Sequence, residues 1–168
     1  LLLTTDAKPN AAHAALAKLE AQGKLAAVVT QNIDGLHQLA GSKNVYELHG
    51  SIHRNHCMRC NSFFDAEYVK NHSGIPYCPC GGMIKPDVVL YEESLDSDVL
   101  AGAVTHISRA DMLIVGGTSL QVYPAAGLIN YYSGNKLVLI NKTVTPYDSY
   151  ANLVINDSIG KVLSAAVE

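Results

Sequence analysis

Short apolar runs alternate along this chain with stretches of helical spacing. Residues 25–30, 112–115, 137–140 and 153–155 are continuous apolar runs of strand length, and each reads as a strand buried inside a sheet. Residues 9–22 have helical spacing, with Leu16 and Leu19 on one side. Pro9 suits a first helical position and Gly23 the stop. Residues 124–132, with Pro124 at the start and Gly134 past the end, read as a second helix, and residues 159–167 as a closing one. Strands buried on both faces and joined by helices imply a mostly parallel sheet. The expected fold class is α/β, doubly wound.

Residues 51–84 break this rhythm. The stretch is polar, holds all four cysteines, and contains Phe63, Phe64 and a short helical pattern over residues 65–71. It reads as a small module inserted in a domain built from residues 1–50 and 85–168. Neither part carries an internal repeat or a low-complexity tract.

Composition narrows the function classes. At 168 residues the chain can bury about 70% of its unfolded surface and needs no disulfide scaffold. Hydrophobic residues make up 48% and charged residues 16%, which excludes a disordered tail. Lys plus Arg is 12 against 15 for Asp plus Glu, a net charge of −3, so no basic stripe marks a nucleic-acid binder. No apolar run approaches the ~20 residues of a membrane helix. The opening Leu1-Leu-Leu-Thr-Thr5 is too short for a signal peptide and lacks a basic flank. The expectation is a cytoplasmic monomer that binds neither nucleic acid nor membrane.

The cysteines change the picture further. Cys57-Met-Arg-Cys60 and Cys78-Pro-Cys80 are two close pairs. Two thiolates on one tight turn can aim at one ion, and two such turns complete a tetrahedron with sulfur at about 2.3 Å. Gly81 and Gly82 let backbone amides fold around the sulfurs. The second pair has one spacer residue instead of two, which is tighter but still chelates. Two disulfides or four free thiols are the alternatives, but clustered cysteines favour one structural zinc ion in a reducing compartment. His53, His56 and His72 flank the site. With four thiolates filling the tetrahedron, each reads as a surface residue or a support for the ligands, and no position remains open for metal catalysis.

Three strand ends carry polar sequences, where open α/β sheets bind ligands. They are Thr30-Gln-Asn-Ile-Asp-Gly-Leu-His37, Gly116-Gly-Thr-Ser-Leu-Gln-Val122 and Asn141-Lys-Thr143. Gln31, Asn32 and Asp34 offer partners for a ribose or a carboxamide, although Asp34 is equally suited to cap a helix over residues 35–39. Gly116, Thr118 and Ser119 offer amides and hydroxyls to phosphate, or form a plain strand-to-helix connection. Asn141 sits where dinucleotide folds contact a ribose hydroxyl, or simply ends a strand. His49, in Glu47-Leu-His-Gly50 at the module junction, is either a general base or a satisfied structural histidine.

Taken together, these segments resemble the sirtuin family of NAD-dependent protein deacylases. The matching segments are Thr30 to His37, Leu48-His-Gly-Ser51, the four cysteines, Lys85-Pro-Asp-Val-Val89, Gly117-Thr-Ser-Leu-Gln-Val122 and Leu139-Ile-Asn141. They occur in the family's order from Ala7 onward. The resemblance implies a Rossmann-like domain and a small zinc domain, with NAD and an acyl-lysine peptide meeting between them. In such enzymes the acyl oxygen attacks the nicotinamide ribose and nicotinamide leaves. The matching His49 then takes a proton from a ribose hydroxyl, and the 2′-hydroxyl attacks the imidate carbon. The products are free lysine, nicotinamide and O-acyl-ADP-ribose. By motif position, Gln31 holds the nicotinamide ribose, Asn32 orders the ribose and water, and Asp34 takes the carboxamide. Gly116, Thr118 and Ser119 face phosphate and ribose, Asn141 the adenosine ribose, and Ser158 the adenine. The peptide adds as a strand along Val88 and Val89, with Val89, Tyr91 and Val122 lining the acyl-lysine tunnel.

Two departures stand out. The family's Phe-Gly-Glu after the Val-Val pair is Tyr91-Glu92-Glu93 here, which puts a charge beside the expected peptide groove. The family's first strand leads into Gly-Ala-Gly-x-Ser and a mobile cofactor loop. Here Leu1 to Thr5 resembles that strand but runs straight into Asp6-Ala-Lys-Pro-Asn10. The expectation is that residues are missing between Thr5 and Asp6. A nucleotide binder without turnover and a zinc-ribbon interaction module are the competing functions; NAD titration and nicotinamide release separate them.

Overall fold

The computed structural model describes residues 6–123 and 125–167. The expected first strand and the Thr5–Asp6 junction lie outside the described residues, as does Pro124. The elements are α1 (Ala11–Ala21), β1 (Val28–Thr30), α2 (Leu36–Leu39), β2 (Val45–Glu47), β3 (Gly50–Cys57), β4 (Phe63–Phe64), α3 (Ala66–Lys70) and β5 (Ile84–Val88). There follow α4 (Ser97–Arg109), β6 (Leu113–Gly116), a 3₁₀ helix (Ala125–Tyr131), β7 (Leu137–Ile140), a 3₁₀ turn (Asp148–Tyr150), β8 (Leu153–Ile155) and α5 (Ile159–Ala166).

Two parallel sheets carry the α/β part, β1-β2 and β6-β7-β8. β7 is the central strand of its sheet and the best buried. Leu137 and Leu139 point to a cluster with Leu120 and Ile129 on one face, and Ile140 to Ala12, Ala15 and Leu163 of α1 and α5 on the other. Helices on one face and the 3₁₀ segment on the other give the layered arrangement the apolar runs imply. Burial on both faces does not extend to the flanking strands: Ile114 of β6 and Leu153 of β8 are exposed. Among the described residues each has a hydrogen-bonded strand neighbour on one side only, so fewer described side chains cover it. β1 and β2 instead face α4, through Val29, Tyr46, Ala103 and Ile107.

Local chemistry sets the ends. Asn10, not Pro9, caps α1: its side chain accepts from Ala12 N at 2.9 Å and His13 N at 3.3 Å, and Asn10 N donates back to His13 Nδ1 at 3.1 Å. Pro9 therefore stands before the helix instead of opening it. At the other end Gly23 N bonds Glu20 O and Lys24 N bonds Leu19 O, the paired pattern of a Schellman stop. The expected second helix is 3₁₀ instead of α. The amphipathic α4 was not read from the sequence, although Leu100, Ala103, Val104 and Ile107 follow the helical period and Asp96 caps it.

The third sheet, β4-β3-β5, is antiparallel and carries the cysteines. Its register shifts between Ser51 and Asn55, so that Ser51 faces Asp87 while Asn55 already faces Pro86. Residues 52–54 bulge out of the ladder. Asn55, 1% exposed, closes the bulge by donating from Nδ2 to Ile52 O and Phe64 O, both at 3.2 Å.

Candidate active site and metal site

The polar segments follow the carboxyl ends of β1, β6, β7 and β8. Residues 31–34 leave β1. They meet the turn between β2 and β3, where His49 sits, and the end of β5 with Val88 and Val89. Gln31, Asn32, Ile33, Asp34, His49, Val88 and Val89 together line a cleft of about 430 Å³.

His49 is held from three directions. Its Nδ1 lies 3.1 Å from the carbonyl oxygen of Gln31. A carbonyl only accepts, so Nδ1 carries the hydrogen, and Nε2 is left with the lone pair. The carbonyl of His49 accepts from Val89 N at 3.1 Å. Gly50, at φ +74°, lets β3 run against β5 here: a Cβ at this position would stand 1.9 Å from Asp87 O. Around this turn Arg54 donates to Glu47 at 2.7 Å and to Asp87 at 3.1 Å, tying β2, β3 and β5 together.

The other expected contacts are ordered but more spread. Asp34 Oδ1 accepts from Leu36 N at 3.1 Å, so the side chain supports the start of α2 while lining the cleft; the N-cap position itself belongs to Gly35. Gln31 Nε2 reaches Val122 O at 3.4 Å and so joins the loop after β1 to the loop after β6. Thr118 Oγ1 accepts from Leu120 N at 3.2 Å. Asn141 Nδ2 donates to Thr143 O and Oγ1 at 3.0 and 3.2 Å. Ser158 caps α5 with no side-chain hydrogen bond to it. Gly116, Thr118, Ser119, Asn141 and Ser158 lie at the strand ends outside the lining of the cleft, as do Val122 and the fully exposed Tyr91.

The four cysteine sulfurs lie within 4.8 Å of one another. Cys57–Cys80 and Cys60–Cys80 are 3.5 Å apart and Cys60–Cys78 3.6 Å. A tetrahedron with bonds of about 2.3 Å has edges of about 3.8 Å, so the sulfurs fit one ion. The backbone supports negative sulfur: Arg59 N donates to Cys57 Sγ at 3.3 Å. The Ser62 hydroxyl beside Cys60, with help from the Ser62 backbone and from the Cys80 and Cys57 thiols, holds the Cys60 thiol down to about 6. Cys57, Cys78 and Ile84, covered by Phe64, Tyr68 and Val69, form the only buried core of this sheet among the described residues.

The flanking histidines do not share one role. His56 packs edge-on against Phe63, and His72 Nδ1 lies 2.9 Å from Tyr68 O. His53 turns away from the cysteines and places Nε2 2.9 Å from Asp34 O. No sequence pattern marks that contact, because it joins segments paired only in the fold.

Comparison with known proteins places this geometry. The Sir2 family model matches residues 1–124. The NAD-dependent protein deacetylase of Clostridium acetobutylicum is 68% identical over 168 residues, covering 99% of this chain and 69% of that protein. A solved Sir2 complex with a p53 peptide and NAD+ superposes with a TM-score of 0.89 at 44% identity, over 96% of this chain and 70% of that one. Another, holding 2′-O-acetyl-ADP-ribose, a deacetylated p53 peptide and an inhibitor, gives 0.91 at 44% identity, over 98% and 74%.

Proposed function

This chain belongs to the Sir2 family, and from that premise we propose that it removes acetyl groups from protein lysines with NAD as co-substrate, using His49 as the base. One observation carries the assignment of the base. His49 lines the cleft with Nδ1 committed to the Gln31 carbonyl, so Nε2 is the nitrogen left to accept a proton.

The acyl oxygen attacks the nicotinamide ribose as nicotinamide departs. Gln31 and Asn32 bind and orient that ribose, and the Asp34 carboxylate receives the carboxamide. His49 Nε2 then takes a proton from a ribose hydroxyl, which frees the 2′-oxygen to attack the imidate carbon. After water adds, lysine leaves and O-acetyl-ADP-ribose remains. Thr118, Ser119 and Asn141 hold the phosphate and adenosine side, with Gly116 beneath them and Ser158 near the adenine. Val88 and Val89 form the apolar wall beside the acyl-lysine, with Tyr91 and Val122 at its approach. Such a wall keeps water from competing for the activated ribose.

Cys57, Cys60, Cys78 and Cys80 hold one zinc ion, whose closed thiolate shell supplies folding energy to the module of residues 51–84 and takes no part in the chemistry. Four reduced thiols suit a cytoplasmic setting, and a monomer acting on protein lysines suffices for this site. Nicotinamide release with an acetyl-lysine peptide tests the reading. NAD binding without nicotinamide release would reduce the protein to a nucleotide binder.

A further inference from the structure

Residues 49–53 do more than lead from the cleft toward the cysteines. The loop over residues 31–34 offers three backbone carbonyls to them in turn. Gln31 O accepts from His49 Nδ1 at 3.1 Å, Ile33 O from Ile52 N at 3.1 Å, and Asp34 O from His53 Nε2 at 2.9 Å. The last two contacts come from the bulge over residues 52–54. The Val89 N–His49 O bond sets the alternation along β3, so Ile52 N faces away from β5 and toward the loop, and His53 follows it within the bulge. The His53 ring also rests on Gly35, which has φ +68°: a Cβ there would stand 2.8 Å from His53 Cδ2. His53 thus touches the loop at the Asp34 carbonyl and at its left-handed turn together, and Asp34 itself lines the cleft.

We propose that His53 is a positioning residue for NAD: its Nε2–H holds the Asp34 carbonyl and its ring seats Gly35, which together set the aim of Gln31, Asn32 and Asp34 into the cleft. The role rests on the deacetylase reading of that cleft. A carbonyl can only accept, so Nε2 is the donor of this contact and carries the hydrogen.

The test compares His53→Phe, which keeps a ring over Gly35 but has no donor, with His53→Gln, which keeps an N–H donor. One neutral hydrogen bond corresponds to about a twofold to tenfold change in an equilibrium constant. His53→Phe should raise the Kd and KM for NAD by that factor, change kcat by less, and leave the thermal midpoint near wild type. His53→Gln should recover most of the loss. Amide hydrogen exchange over residues 31–36 should quicken in His53→Phe and return in His53→Gln. Unchanged NAD affinity and exchange in His53→Phe would overturn the proposal. So would a loss confined to kcat, or a His53→Gln protein as impaired as His53→Phe. Wild-type protein that fails to release nicotinamide defeats the deacetylase reading instead, and the exchange measurement still decides the role of His53.

Discussion

The His49 ring and the Gln31 carbonyl stand 3.1 Å apart, joining the residue in line to accept a proton to the loop in line to hold the ribose. The contact fixes the tautomer through a backbone carbonyl and ties His49, the proposed base, to the loop after β1. His49→Ala should leave the fold and NAD binding largely intact and slow deacetylation by about 10²–10⁴-fold. Nicotinamide exchange should fall less, because nicotinamide leaves before the proton moves. A folded His49→Ala protein with near wild-type deacetylation would remove His49 from this role.

Metal removal should act on the antiparallel sheet first. Its small core is the two buried cysteines, Ile84 and their aromatic cover, which leaves little apolar surface to hold it without an ion. Zinc binding to four thiolates supplies folding energy on the order of 10 kcal/mol. Cys57→Ser and Cys78→Ser should lose the metal and disorder residues 53–83. Activity should go with them, since β3 also carries His53 and adjoins His49. Elemental analysis finding no zinc in active protein, with four freely titrating thiols, would refute this.

The sequence was most legible where apolar residues run continuously and least where long-range pairing supplies the order. Leu137–Ile140 and Leu153–Ile155 coincide with β7 and β8, and Asp65 and Asn71 bracket α3 as read. β3 is polar over Ser51, His53, Arg54 and Asn55 and has no strand signature; pairing with β5 and β4 makes it a strand. The bulge that aims His53 depends on buried Asn55, which nothing local distinguishes from a loop asparagine. Only the family resemblance grouped Gln31, Asn32 and Asp34 with His49; the fold brings them from two short segments into one cleft. The polar residues after β6 and β7, proposed for the phosphate side, stand outside the lining of that cleft, and no apolar pattern reports such spacing.

Acid should loosen the packing of α2 on α1. The His37 and His13 rings lie 4.6 Å apart, and His37 Nδ1 is buried with no hydrogen-bond partner among the described residues. Burial, then the neighbouring His13, lowers the His37 pKa below its ordinary 6.5, against a smaller upward pull from Asp34 and Glu47. Between the folded and unfolded values the unfolded chain binds more protons, so stability rises with pH. This contribution is complete above 6.5 and is lost as pH falls through the lowered folded value. Glu93 and Asp157, whose carboxylates are also held low, lose their contributions only below their ordinary values of 4.5 and 3.8. His37→Gln should flatten the fall in urea midpoint between pH 7.5 and 5.5; an unchanged slope would clear His37 of the effect.

Glu92 occupies a turn built for glycine. Glu93 N donates to Leu90 O at 3.1 Å, closing a four-residue turn whose third residue is Glu92 at φ +69°. That is the place where a type II turn calls for glycine. Glu93 holds the turn in this shape: its Oε2 accepts from Leu90 N at 2.9 Å and from Lys85 Nζ at 3.0 Å. Glu92 therefore cannot relax without releasing both contacts. A left-handed non-glycine residue costs about 1–2 kcal/mol, and glycine gives back about 0.4–1 kcal/mol through the freer unfolded chain. Glu92→Gly should therefore stabilise the protein by about 0.5–1 kcal/mol, a rise of about 1–4 °C in Tm for a chain of this size. Glu92→Ala keeps the Cβ and should gain nothing. Equal midpoints for Glu92→Gly and Glu92→Ala would show that the charge, and not the backbone, sets the stability of this turn.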